Sequence, residues 1–189
     1  MGPLLRVGFV SIALLYPMLV YFGLSYLTPT ALAALLLIVT LIRAQIALKT
    51  GERTFLFPIV VATLYSGIVV ISDSALLLRC YPIVMNLIAA YMFGITLLRP
   101  PTMIERIAEI RGVKPDTPAS RNYMKRLTIV WTTFLIVNCV ISAYTATATT
   151  LGVWAIYNGF IVYILFGLLL GGEVVYRAHY KARINSGPT

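Results

Sequence analysis

The apolar positions of this chain fall in long continuous runs, without the alternation of a half-buried strand or the one-sided stripe of a surface helix. Six runs, 7–26, 30–48, 55–72, 75–98, 127–147 and 153–176, each approach or exceed the roughly 20 residues a helix needs to cross a hydrocarbon layer. Backbone groups in hydrocarbon must be satisfied within the chain, so the runs are predicted as helices. Short turns at Thr28-Pro29, Ser72-Asp73-Ser74 and 148–152 join them into three hairpins. The expected fold is all-α: one integral membrane domain over 1–189, a bundle of six transmembrane helices. Pro17 and Pro82 each follow a tyrosine within a run, and kinks are expected there.

The longest polar stretch, 99–126, has a helix start of its own. Pro100-Pro101 ends the fourth run, Thr102 and Glu105 have the spacing of a capping box, and Gly112 offers a stop. Met103, Ile107 and Ile110 recur on one face, which predicts an interfacial amphipathic helix between helices 4 and 5. From Lys114 to Ser120 the chain reads as a turn-rich connection.

Composition agrees with the pattern: 60% of the 189 residues are hydrophobic, 11% are charged and the mean hydropathy is +0.91. Charge then adds an orientation. Arg6 precedes the first run, Arg43, Lys49 and Arg53 flank the second connection, and Arg177, Lys181 and Arg183 follow the last. Arg99, Arg106, Arg111, Lys114, Arg121, Lys125 and Arg126 lie in 99–126, leaving only Arg79, of the fifteen basic residues, near the opposite face. Both termini and the connection 99–126 are therefore predicted on the cytoplasmic side. The net charge of +9 reflects topology and attraction to anionic lipid heads, and gives no reason to expect nucleic acid. The first run lacks a small-x-small cleavage site and is read as a retained span. Cys80 and Cys139 fall at different depths and suggest neither a disulfide nor a metal pair.

Polar residues within the runs are the candidate chemistry, because hydrocarbon penalises them unless they find partners. Asn86 and Asn138 both fall near the midplane and are expected to hydrogen-bond across a helix contact, as packing glue or as a ligand or proton-path site. Trp131, Asn138, Ser142 and Thr145 share one helix face, and Asn158 extends the track. Arg79 is read as snorkelling beside Asp73, or as the outer end of a polar path through Asn86. Trp154 and Tyr157 are read as interface anchors. Gly159, Gly167 and Gly171 predict close helix packing, within the chain or in a homo-oligomer, and Glu173 is paired with Arg177 one turn later.

No phosphate loop, HExxH, GxSxG or paired-carboxylate arrangement is present, and the one histidine, His179, lies in the basic tail. The expectation is a protein without its own catalytic residues, cofactor or metal. Its basic segment, with Arg106, Arg111, Lys114, Arg121, Lys125 and Arg126, is a candidate docking surface for cytoplasmic or membrane partners.

Several local motifs carry a resemblance. Arg99-Pro100-Pro101 with Ile104-Glu105-Arg106, then Thr128, Trp131, Phe134, Asn138, Tyr144-Thr145-Ala146, Trp154 and Tyr157-Asn158-Gly159, resemble uncharacterised bacterial inner-membrane proteins encoded with aryl-polyene and xanthomonadin-type clusters. More distantly, the C-terminal half is similar to the intracellular septation protein A family through Trp131, Phe134, Tyr144, Ala146 and Trp154, with Asn138 departing from the small residue expected there. These resemblances imply a bacterial cytoplasmic membrane and a role supporting envelope or polyene-lipid synthesis. That role is binding or organising partners or lipid intermediates, with a transporter or lipid carrier using the polar path as the alternative.

Overall fold

The structure, a computed structural model, describes residues 16–50, 56–110, 112–113 and 117–185. Every regular element among them is helical: α1 (16–23), α2 (Pro29–Thr50), α3 (Leu56–Ser72), α4 (Ala75–Leu98), α5 (Met103–Ile110), α6 (Pro118–Ala148) and α7 (Leu151–Ile156). A π-helical turn, Tyr157–Ile161, carries α7 into α8 (Val162–Asn185). Among the described residues, four stretches are long and apolar enough to cross a membrane: Pro29–Lys49, Ala75–Leu98, Pro118–Ala148 and Leu151–Val174. The α3 helix is apolar but shorter, at 17 residues. The first predicted run is described only from Tyr16, and Arg6, Arg53, Arg111 and Lys114 lie outside the described residues, as do the side chains of Arg177, His179, Lys181 and Arg183.

Several helices begin or end at positions other than the bounds of the apolar runs. The α1 helix ends at residue 23, not 26, because the amides of Tyr26 and Leu27 both turn back to the Gly23 carbonyl. The α6 helix begins at Pro118, well before the expected position 127. Thr117 caps it by accepting from the Ser120 amide at 3.1 Å, and proline suits the first turn, so Arg121, Lys125 and Arg126 are helical residues and not part of a loop. The α8 helix likewise continues to Asn185, past the apolar segment. In α5, Glu105 accepts from the Thr102 amide at 2.5 Å, and Gly112, with φ of +76°, closes the C-terminus. Its inward face holds Met103 and Ala108, whereas Ile110 is 74% exposed and leaves the predicted stripe.

Three turns, at 24–28, 73–74 and 149–150, gather at one end of the bundle, here the hairpin end. Asp73, in a left-handed conformation with φ of 45°, accepts from the Thr30 amide at 2.9 Å and from the Thr30 hydroxyl, tying the α3–α4 turn to the start of α2. Those two donors hold the Asp73 carboxyl below its usual range. The main apolar core lies beneath this end, where Val20, Leu32, Ala33, Val69, Leu78 and Trp154 meet. A second cluster binds α4, α6 and α8 further along, with Trp131 6.3 Å from Phe93 and 5.6 Å from Phe166, and Phe166 edge-on to Phe134 at 4.8 Å.

Extended packing joins α2 to α3 and α4 to α6, while α2 meets α4 only briefly. The two pairs thus enclose a seam. Pro82, inside α4, has no amide hydrogen for the Leu78 carbonyl. Tyr16 of α1 supplies the missing donor at 2.6 Å, and Tyr65 of α3 donates to the adjacent Leu77 carbonyl at 2.7 Å. The proline break is therefore satisfied by side chains from neighbouring helices, as a membrane interior requires.

Candidate functional site

The polar side chains predicted in the runs separate into two groups. The first closes the hairpin end. The last turn of α6 leaves its carbonyls without helical partners, and Arg79 of α4 donates to the Thr145 carbonyl at 3.0 Å and to the Thr149 carbonyl at 2.9 Å. A cation at a helix C-terminus also meets the negative end of the helix dipole. Arg79 therefore caps α6 and does not pair with Asp73, whose carboxylate is held by Thr30. Trp154 is fully buried, and its indole nitrogen donates to the Arg79 carbonyl at 3.0 Å.

Asn158 extends this group. Its oxygen accepts from Ser142 at 2.8 Å, and its nitrogen donates to the Thr145 hydroxyl at 3.2 Å and to the Trp154 carbonyl at 3.0 Å. Both amide hydrogens are thereby used. The π turn lets the successive residues Tyr157 and Asn158 both reach α6, and such turns recur at functional sites. Neither Trp154 nor Tyr157 is an interface anchor, since the indole lies in the core and the Tyr157 hydroxyl donates to Asn138 at 2.8 Å. Hydropathy placed these aromatics near a membrane boundary but carried no sign of their inward partners.

The second group is centred on the seam. Asn138 donates to the Asn86 oxygen at 2.9 Å, the contact that the two depths suggested, and Asn86 donates to the Pro82 carbonyl at 2.8 Å. Beside this pair lies a cavity of about 290 Å³ between α1, α2, α4 and the π turn with α8. Tyr16, Pro17, Tyr81 and Pro82 all line it, so the two Tyr-Pro pairs flank one space, with the Tyr16 and Tyr81 rings 4.8 Å apart. Asn86, Asn138 and Asn158 supply amides, and Thr40 and Arg43 of α2 add a hydroxyl and a cation. Val39, Met85, Val162 and Phe166 give an apolar lining. The roles of Tyr81, Thr40 and Arg43 had no local signal, because each belongs to a helix distant in sequence from the asparagines.

The other predicted residues lie elsewhere. Glu173 lines cavities at the opposite end of the bundle, near Arg126 and α5, and is not part of the seam. Gly159 packs tightly, since a Cβ there would lie 3.2 Å from both Met18 and Pro17. Gly167 and Gly171 have no neighbouring atom within 4 Å of a Cβ among the described residues, so the close packing expected of the GxxxG pair is seen only at Gly159. Of the basic candidates, Arg106 is exposed on α5 and donates to the Pro101 carbonyl at 3.0 Å, whereas Arg121, Lys125 and Arg126 project from α6.

No family model matches the chain, and neither curated proteins nor solved structures yield a significant match.

Proposed function

We propose that this protein is a non-enzymatic component of a bacterial inner membrane that holds a lipid-class amphiphile in the seam, in support of envelope or polyene-lipid synthesis. The seam cavity carries the reading: amides from three helices face an apolar-lined space in a chain dominated by membrane-compatible helices. A polar cluster needed only as glue has no use for a space beside it. In this reading all six apolar runs cross the bilayer, with α3 at the short limit of about 17 residues. The hairpin end faces outward, and both termini and the interfacial α5 lie on the cytoplasmic side with most of the basic residues.

The test is purification from native membranes in mild detergent, followed by mass spectrometry of bound lipids and proteins. A selectively enriched lipid that is lost in a folded Asn138→Leu variant supports the proposal. Unchanged enrichment in that variant rejects it. A specific protein partner with no enriched lipid would favour docking at the exposed Arg106, Arg121, Lys125 and Arg126 instead.

A further inference from the structure

A second space lies at the end of the bundle opposite the hairpin end, and it is built differently from the seam. Met92, Ile95, Thr96 and Arg99 recur along one face of α4 and form one wall, while Met103 and Arg106 of α5 form the other. The groove between them has a volume of about 290 Å³. Thr96 holds the walls together: its hydroxyl donates to the Phe93 carbonyl at 2.6 Å and accepts from the Met103 amide at 2.9 Å. The start of α5 is thereby fixed against α4, and two cations from opposite sides of Pro100-Pro101 line one space.

Both arginines are exposed. Nε of Arg106 donates to the Pro101 carbonyl at 3.0 Å, which holds that guanidinium at the turn and leaves its two Nη groups. Among the described residues, those Nη groups and the Arg99 guanidinium make no hydrogen bond or ion pair. Glu105, the nearest acid in sequence, is buried and accepts from the Thr102 amide. The two acids outside the described residues, Glu52 and Asp116, each come with a base close by in sequence, Arg53 and Lys114, so neither segment brings net negative charge.

Depth supplies the remaining constraint. The 24 residues of α4 rise about 36 Å, enough to cross a hydrocarbon layer of roughly 30 Å and to bring Arg99, its C-cap, to head-group level. Tyr91, which also lines the groove, is 59% exposed, so the apolar wall beneath the cations opens to the outer surface of the bundle. Cations above an outward apolar wall match a phospholipid of the surrounding bilayer, with phosphate at the arginines and the first acyl carbons along Met92 and Ile95. Guanidinium groups receive phosphate oxygens through paired N–H donors. A head carrying its own ammonium would set a like charge beside them, which favours heads without one.

We infer that the groove between Arg99 and Arg106 binds an anionic phospholipid of the leaflet at this end of the bundle. The site is separate from the seam and shares with the proposed function only a membrane-spanning α4.

Full-length protein, delipidated in detergent, is titrated with phosphatidylglycerol or with phosphatidylcholine of the same acyl chains, and bound lipid is counted by native mass spectrometry. Phosphatidylglycerol should bind the wild type about tenfold more tightly, and Arg99→Gln with Arg106→Gln should bring the two lipids within about twofold. Lys125→Gln with Arg126→Gln removes the same charge from α6 and should leave the preference intact. An equal loss in both double variants would mean a diffuse basic surface and overturn the groove. An unchanged preference without Arg99 and Arg106 would overturn it outright and leave these arginines to a protein partner. Glycerol 1-phosphate should not displace phosphatidylglycerol at matched concentrations; displacement would assign the groove to free phosphate and overturn the lipid. Asn138→Leu should keep the phosphatidylglycerol preference, and the Arg99 and Arg106 double variant, purified from native membranes, should keep the lipid of the seam. Failure of the groove is thus distinguished from failure of the proposed function.

Discussion

Asn158 and Asn138 are both buried amides on neighbouring helices and both line the seam cavity, yet Asn158 has both amide hydrogens engaged within the protein and Asn138 has one to spare. At the hairpin end, Nη2 of Arg79, the Trp154 indole and both Asn158 hydrogens are directed to protein acceptors, while Nε of Arg79 is buried with no partner among the described residues. In the seam, Tyr16 and Tyr65 satisfy the backbone around Pro82, but the amides of Asn86 and Asn138 retain capacity. Burial of a polar residue in a membrane helix is thus not enough to mark a site. What sets the seam apart is that the spare amide donors of Asn86 and Asn138 border a cavity.

The largest effect should come from the hairpin end. Arg79→Met removes a charged donor from two carbonyls at the end of α6, of which that of Thr145 keeps the Thr149 hydroxyl, and Trp154 remains bonded to the backbone of residue 79. A loss of roughly 2 kcal/mol is expected, within the range for buried groups deprived of a charged partner. Reversible unfolding in mixed micelles would measure it. Lipid enrichment should persist at saturating ligand, because Arg79 does not line the cavity. If the variant remains stable but loses its lipid, the two regions do not have separate roles.

Long apolar runs made the helical, membrane-compatible class legible, and the charge asymmetry added an expected orientation. The Asn86–Asn138 contact was legible because depth could be counted from the ends of two helices. The cap supplied by Arg79 was not. Proximity in sequence favoured Asp73, whereas the open carbonyls of α6 become visible only when α4 and α6 are packed together. For the same reason the asparagines were identified, but the cavity, with Tyr81 and Arg43, emerged only from the assembled seam. The early start of α6 was hidden by its charge, since a hydropathy window excludes Arg121, Lys125 and Arg126 although helix formation does not.

Glycine substitutions sharpen the boundary between the regions at smaller cost. A methyl at Gly159 would press on Met18 and on Pro17, which also lines the cavity. The methionine end can rotate, but the proline ring has little freedom, so Gly159→Ala should destabilise by about 1 kcal/mol. Gly167→Ala meets no atom of the described residues within 4 Å and should be neutral or stabilising by up to about 1 kcal/mol through helix propensity. Unfolding of both variants checks the difference in sign. A shift from dimer to monomer in Gly167→Ala would instead assign that glycine face to a homo-oligomer seam.

The smallest effect concerns the turn that closes the hairpin end without entering the helix interior. Thr30 stabilises the charged form of Asp73, so this carboxyl has a lower pKa in the folded protein than in the unfolded chain. The sign follows directly: its contribution is complete above the ordinary aspartate value of about 3.9 and is lost as pH falls through the depressed folded value. Thermal unfolding of the wild type should therefore show an acid-side decline that is shallower in Asp73→Asn. The midpoints should differ most at neutral pH and converge in acid. Lipid retention should be equal in the two proteins at neutral pH, since Asp73 does not line the seam cavity. Parallel acid declines would remove the Thr30–Asp73 contact from the interactions that hold the hairpin end closed.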